Sequence, residues 1–140
     1  MIAICHLLTG AVIATKIESI TLVCIFAFLS NYCLDFIPHI DYGKKWRPSF
    51  LDFLKITIDC SLAFFLILIF SNNQPIIFVG AFFAVLSDGF SFLSLIFPND
   101  LLKLHDRFHR KVHFLGNKKI PLFWRIISQV VVVIIAIFLL

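Results

Sequence analysis

Charged side chains are scarce in this chain of 140 residues. Asp, Glu, Lys and Arg make up 14% of the sequence, whereas an ordinary soluble domain has about 25%. Hydrophobic residues make up 61%, and the mean hydropathy is +1.02. This balance excludes an ordinary soluble domain and predicts an integral membrane protein. At this length, one compact domain over residues 1–140 is expected.

The sequence also lacks the short motifs of familiar soluble enzymes. It has no phosphate-binding P-loop, no G-x-S-x-G nucleophile motif and no H-E-x-x-H zinc motif. No C-x-x-C pair occurs, and the four cysteines lie within apolar runs, which predicts small buried hydrophobic residues rather than ligands or disulfide partners. Residues 1–15 carry no Lys or Arg, which argues against a cleaved signal peptide.

Four apolar segments are long enough to cross a bilayer. They cover about residues 19–38, 53–70, 75–97 and 122–140, and each approaches the ~20 residues that ~30 Å of hydrocarbon requires. A fifth apolar run, residues 2–15, reaches only ~21 Å as a helix at ~1.5 Å per residue. The expected fold is therefore all-α, a polytopic membrane bundle of four to five transmembrane helices.

The basic residues are concentrated in two linkers between these segments. Linker 41–52 and linker 98–121 are both basic, whereas linker 71–74 is uncharged. The positive-inside rule places both basic linkers in the cytoplasm, and the N-terminus as well if residues 2–15 cross. We therefore expect a protein of the bacterial cytoplasmic (inner) membrane with a cytoplasmic N-terminus. The basic clusters are interpreted as topology signals rather than as a nucleic-acid surface.

The second basic linker has the periodicity of an amphipathic helix over about residues 100–115. Its other side is basic, and Gly116 with Asn117 is a typical stop signal. This pattern predicts a helix lying in the membrane interface. Its apolar stripe consists of Leu101, Leu104, Phe108 and either Val112 or Leu115.

Carboxylate and imidazole groups recur near the cytoplasmic ends of these segments. Such groups are costly near hydrocarbon and rarely occur there without a function. Topology and helix rise bring them to a similar depth. Carboxylates with imidazoles suit Zn²⁺, Mn²⁺ or Fe²⁺, so one or two divalent ions are predicted. The candidate ligands are His6, Asp35, His39, Asp41, Asp88, His109 and His113.

Several of these groups also have ordinary structural interpretations. Asp59 can pair with Lys55, one turn before it on the same helix. His6 can be a hydrogen-bonded core histidine, and Asp41 can be a turn residue. The histidines of the amphipathic segment can face lipid headgroups. Because a spacing of four drifts around a helix, His105 is expected to be the spare one.

Four short elements of the sequence resemble those of a known group of membrane proteins. They are a His-x-x-x-Gly start, an Asp-x-x-Pro-His-x-Asp element, a Leu-Ser-Asp and a Phe-His-x-x-x-His tail, at His6–Gly10, Asp35–Asp41, Leu86–Asp88 and Phe108–His113. With these elements the chain resembles the bacterial membrane-bound metal-dependent hydrolase family of the LexA-regulated type. The resemblance implies a helical, polytopic fold with clustered His and Asp ligands. Related sequences commonly have His where this chain has Asn31, which is a poor ligand for Zn²⁺.

The sequence leaves three functions open. The first is a metal-dependent hydrolase with Asp35 and Asp88 in catalysis, acting on a phosphoester or lipid-linked substrate at the cytoplasmic face. The anionic headgroup of the substrate would be bound by Arg107, Arg110 and Lys111. The second is a small ion or proton transporter, which would need to form an oligomer. The third is a non-catalytic metal-binding or scaffold membrane protein, which Asn31 favours.

Overall fold

The computed structural model describes residues 1–40, 49–97, 99–116 and 120–140. Within these ranges all regular secondary structure is helical, which confirms the all-α prediction. The helices are α1 (Ala3–Lys16), α2 (Ile20–Phe36), α3 (Phe50–Phe70), α4 (Pro75–Ile96), α5 (Asp100–Gly116) and α6 (Leu122–Leu139).

Three of these helices, α3, α4 and α6, are long and apolar enough to cross a membrane. This supports the predicted association of the chain with a membrane. The helices α1 and α2 are apolar but shorter, with 14 and 17 residues. A total of four to five spans therefore stays a prediction. Large apolar side chains cover the outer surface, as lipid contact requires; Phe50 is 79% exposed and Phe138 is 89% exposed.

Two helix boundaries follow from local chemistry. Helix α3 begins at Phe50, earlier than the apolar pattern predicts, because Ser49 and Asp52 form a reciprocal capping box. The Ser49 backbone N–H donates to Asp52 Oδ2 at 3.0 Å, and the Asp52 N–H donates to Ser49 Oγ at 3.2 Å. Helix α2 ends at Phe36 because Pro38 disfavours a helical conformation at Ile37, whose ψ is 138°.

Helix α1 lies at the centre of the bundle and packs against α2, α3, α4 and α6. Its closest neighbour is α4, where two glycines face each other. A Cβ on Gly10 would lie 2.6 Å from Ala84 Cβ, and a Cβ on Gly80 would lie 2.8 Å from Ala14 Cβ. Small residues four apart on both helices let the two backbones touch. This contact fixes the position of α1, and with it His6, relative to α4.

The extended residues that follow α2 are held by α6. Gln129 is only 6% exposed, and its Nε2 donates to the Ile40 carbonyl at 2.8 Å. The Ser128 hydroxyl donates to the Pro38 carbonyl. These polar residues of α6 satisfy carbonyl groups that no helix serves. They thereby hold His39 against the bundle, where it is fully buried.

Helix α5 packs against α2 and α4 and presents two different faces. His109 is 3% exposed and faces the bundle. The predicted apolar stripe faces outward instead; Leu101, Leu104 and Phe108 are 77%, 63% and 57% exposed. Val112 is half-buried, and the Leu115 side chain lies outside the described part. The position of α5 in the membrane interface stays a prediction.

Candidate metal centre

The described candidate ligands converge at one end of the bundle, although they come from four helices and one extended segment. His6 is in the first turns of α1, Asp35 is in the last turn of α2, and His39 follows α2. Asp88 is in the second half of α4, and α5 supplies both His109 and His113. Asp41 lies outside the described residues. The other six are close to one another, and their roles as ligands stay predictions.

Asp35 is the centre of this cluster and is fully buried. Its Oδ2 lies 2.7 Å from His109 Nε2 and 3.1 Å from His113 Nε2. Its Oδ1 lies 3.3 Å from His6 Nε2 and 3.9 Å from His39 Nε2, and it also contacts the α-amino group of Met1. Four imidazole nitrogens therefore surround a single carboxylate.

Asp88 is the second carboxylate, and its side chain is 36% exposed. Its Oδ1 lies 3.4 Å from His109 Nε2, and its Oδ2 lies 3.6 Å from His6 Nε2. The Asn31 amide donates from Nδ2 to Asp88 Oδ2 at 3.1 Å and to the Ala84 carbonyl at 2.8 Å. Asp88 is thus the carboxylate of this cluster that solvent reaches, whereas Asp35 is sealed.

Four of these residues can hold a metal ion. One ligand atom from each of Asp35, Asp88, His109 and His113 lies within 4.8 Å of the others. Two carboxylates and two imidazoles form a donor set that suits divalent transition metals. A bound cation would also offset the repulsion between two carboxylates placed together in a poorly hydrated site.

The two imidazoles from α5 have partners at their second nitrogen. His109 Nδ1 lies 2.8 Å from Ser91 Oγ on α4. His113 Nδ1 lies 3.0 Å from His39 Nε2. His39 in turn donates from Nδ1 to the Ile37 carbonyl at 2.6 Å. Partners of this kind orient the rings of metal-binding histidines.

His105 lies beside the cluster and is not one of the four residues. Its Nε2 lies 2.9 Å from the Tyr32 hydroxyl and 3.1 Å from Ser87 Oγ. Burial lowers the pKa of the His105 imidazole, and the neighbouring His109 lowers it further. Asp106 and Asp88 oppose this shift. The lowered pKa favours the uncharged form of His105, whose Nε2 is in hydrogen-bond contact with Tyr32 and Ser87.

The basic residues predicted to bind substrate are exposed on the outer side of α5. At ~100° per residue, Arg107 and Lys111 lie ~160° around the helix from His109. Arg110 Nη2 forms an ion pair with Asp106 Oδ2 at 2.6 Å. These residues border an open groove of about 450 Å³ that is lined by Leu104, Arg107, Phe108, Arg110 and Lys111. Arg107 and Lys111 thus face away from the four residues that can hold a metal.

The structure also reveals partners that sequence reasoning missed. Ser91 lies three residues after Asp88 and so shares its face of α4, which is the only signal for it in the sequence. Asn31, which the sequence marks as a missing ligand, donates a hydrogen bond to Asp88. Asp59 accepts the backbone N–H of Ile4 at 2.9 Å, and Lys55 Nζ lies 3.9 Å from Asp52 Oδ1. No pattern along the sequence indicates the contact between Asp59 and the start of α1.

Comparison of the chain with protein-family models, curated proteins and solved structures gives no significant match.

Proposed function

We propose that this chain is a membrane-embedded metal-dependent hydrolase that acts on a phosphoester or lipid-linked substrate at the cytoplasmic face. The observation that carries the proposal is the convergence of Asp35, Asp88, His109 and His113 from three helices. Such a donor set fits Zn²⁺, Mn²⁺ or Fe²⁺, as one ion or as two. The short motifs shared with membrane-bound metal-dependent hydrolases support the same activity.

The two carboxylates suit different parts of the reaction. When bound, a divalent ion would supply an activated water and stabilise negative charge on a phosphoryl oxygen. Asp35 is fully buried among imidazoles, which suits it to holding the ion. Asp88 has a side chain that is 36% exposed, so it can contact water or substrate entering from solvent. We therefore assign the anchoring of the ion to Asp35 and the contact with the attacking water to Asp88.

The placement at the cytoplasmic face rests on the chain's charge and surface. The basic linkers favour a cytoplasmic location for α5 and for the cluster beside it. The exposed apolar side chains of α5 suit contact with acyl chains, and Arg107, Arg110 and Lys111 suit contact with anionic headgroups. Because Arg107 and Lys111 face away from the cluster, their proposed role is to gather anionic lipid around α5 rather than to bind the reacting phosphate.

The test is the metal content of the detergent-purified protein after incubation with Zn²⁺, Mn²⁺ or Fe²⁺. We expect one or two equivalents in the wild type and a loss of metal in Asp35→Ala and His109→Ala. His105→Ala is the matched control, because it removes an imidazole from the same helix but not from the four residues. Metal-loaded protein is then assayed with phosphodiesters and phospholipids. Absence of bound metal in the wild type would refute the proposal.

A non-catalytic metal-binding scaffold is the second candidate. It is favoured by Asn31, which occupies a place where an additional ligand would otherwise be expected. A scaffold would bind metal in the same assay and lose thermal stability without it, but would hydrolyse no substrate. A transporter is less well supported, because residues 62–70 and 76–86 carry no ionisable side chain to continue a path outward.

A further inference from the structure

We infer that Asp35 and Asp88 each turn one oxygen towards a single metal site, while the other oxygen of each faces His6 Nε2 and that of Asp88 also accepts from Asn31. In this arrangement the ligands are Asp35, Asp88, His109 and His113. The residues His6, Asn31, His39 and Ser91 are positioning residues around them. The inference rests on the proposed metal site and defines which imidazoles bind the ion.

The distances divide the oxygens of each carboxylate between two sides. Oδ2 of Asp35 and Oδ1 of Asp88 are the oxygens closest to His109 Nε2, at 2.7 and 3.4 Å. His113 Nε2 lies 3.1 Å from Asp35 Oδ2 and 3.2 Å from His109 Nε2. The other two oxygens, Oδ1 of Asp35 and Oδ2 of Asp88, are the ones nearest to His6 Nε2. Each carboxylate therefore has one oxygen on the side of His109 and the other on the side of His6.

The orientation of the Asn31 amide is fixed by its acceptors. A backbone carbonyl can only accept, so the group 2.8 Å from the Ala84 carbonyl must be the NH₂ of Asn31. The same NH₂ donates to Asp88 Oδ2 at 3.1 Å, which uses its second hydrogen. A flipped amide would place its oxygen against both the carbonyl and the carboxylate. The NH₂ of Asn31 therefore faces the cluster.

This orientation determines the proton position on His6. His6 Nδ1 lies 3.4 Å from Asn31 Nδ2, so a proton on Nδ1 would point at an NH₂ group. A ring with a single proton therefore carries it on Nε2, which faces both carboxylates. His6 Nε2 is buried and makes no hydrogen bond at these distances, which alone would also suit a metal ligand. Ligation through Nε2 would require the proton on Nδ1, and Asn31 disfavours that tautomer.

The histidines of α5 have the opposite arrangement. Ser91 Oγ can accept a hydrogen bond from His109 Nδ1–H at 2.8 Å. His39 donates from Nδ1 to the Ile37 carbonyl, so its Nε2 is an acceptor for His113 Nδ1 at 3.0 Å. Both partners favour a proton on Nδ1, so Nε2 of His109 and of His113 is the nitrogen that would bind the ion. Those two nitrogens are the ones that face the carboxylates.

The test counts imidazole ligands by X-ray absorption at the zinc edge, using Zn²⁺ as the probe in the full-length protein. We expect two imidazoles in the wild type, one in His109→Gln and two in the matched variant His6→Gln. Positioning residues typically contribute 10–100-fold to metal affinity, so we expect His6→Leu to weaken Zn²⁺ binding within about that range. His6→Gln, which keeps an N–H donor, is expected to recover part of this loss.

Two outcomes would overturn the inference in different ways. Loss of one imidazole in His6→Gln, with His109→Gln also losing one, would make His6 a ligand and refute the assignment while the metal site stands. Absence of Zn²⁺ from the wild-type protein would refute both the assignment and the proposed function. The comparison of His6→Gln with His6→Leu separates positioning from a merely structural role, because only positioning through an N–H donor predicts tighter Zn²⁺ binding in His6→Gln than in His6→Leu.

Discussion

At the scale of single residues, Asn31 forms hydrogen bonds that no sequence motif predicts. Asn31 is fully buried, and its NH₂ serves a carbonyl and a carboxylate at once. An unpaired buried polar group costs about 1–3 kcal/mol, so these bonds hold Asn31 and Asp88 in one arrangement. Asn31, which resembles a lost ligand, therefore orients Asp88 beside the four residues that can hold a metal.

The variant Asn31→Asp tests whether Asn31 determines the proton position on His6. A carboxylate at residue 31 would accept a hydrogen bond from His6 Nδ1–H, which leaves the Nε2 lone pair of His6 to bind a metal. We expect the count of imidazoles around Zn²⁺ to rise from two to three, measured by X-ray absorption. Asn31→Leu is the control of similar size, because it removes the NH₂ without adding an acceptor, and it is expected to leave the count at two. A count of two in Asn31→Asp would contradict the tautomer assigned to His6.

At the scale of helices, the contact between α1 and α4 allows almost no added volume. A Cβ on either facing glycine would overlap the partner backbone and a neighbouring alanine. Helices in a membrane gain stability from this kind of close approach, since lipid tails are as apolar as the side chains. The contact also sets the distance between His6 on α1 and Asp88 on α4.

We expect Gly10→Ala to lower the free energy of unfolding by about 1–3 kcal/mol, because it overpacks a filled contact. Thermal unfolding in detergent measures the loss. Gly89→Ala is the matched control on α4, where an added Cβ meets nothing within 4 Å. Because Ala favours helix over Gly by about 1 kcal/mol, this control is expected to be neutral or stabilising. Equal destabilisation by both substitutions would contradict the close packing of α1 on α4.

At the scale of the whole molecule, the four residues that can hold a metal come from α2, α4 and α5, so a bound ion would link these helices. Removal of bound metal by a chelator is expected to lower the melting temperature, because an ion that binds only the folded state stabilises it. At a free concentration 100 times the dissociation constant this linkage amounts to about 2.7 kcal/mol. Asp35→Ala, which is expected to lose the metal, should melt at the same temperature with and without chelator. A wild-type melting temperature that chelator leaves unchanged would contradict the linkage.

Much of the helical layout could be predicted from the sequence, because apolar runs and stop signals are local. The shared depth of Asp35, Asp88 and His109 could be inferred from topology, since helix rise is constant. What could not be inferred is which side of each group faces which neighbour. The histidine face of α5 points inward and its apolar stripe points outward. The amphipathic pattern alone predicts the two faces of α5, but it does not predict which of them packs against the other helices.

The contact between Asp59 and the Ile4 backbone N–H has a consequence for how the protein enters the membrane. A carboxylate near the middle of a span adds about 2.5–3.5 kcal/mol to the cost of insertion. Asp59 imposes that cost on α3, and the first turn of α1 supplies a hydrogen-bond donor to its carboxylate. The segment is thus better tolerated in the bilayer once α1 is beside it. Biogenesis of the bundle is expected to proceed by pairing these two segments early, before α3 is released alone into lipid.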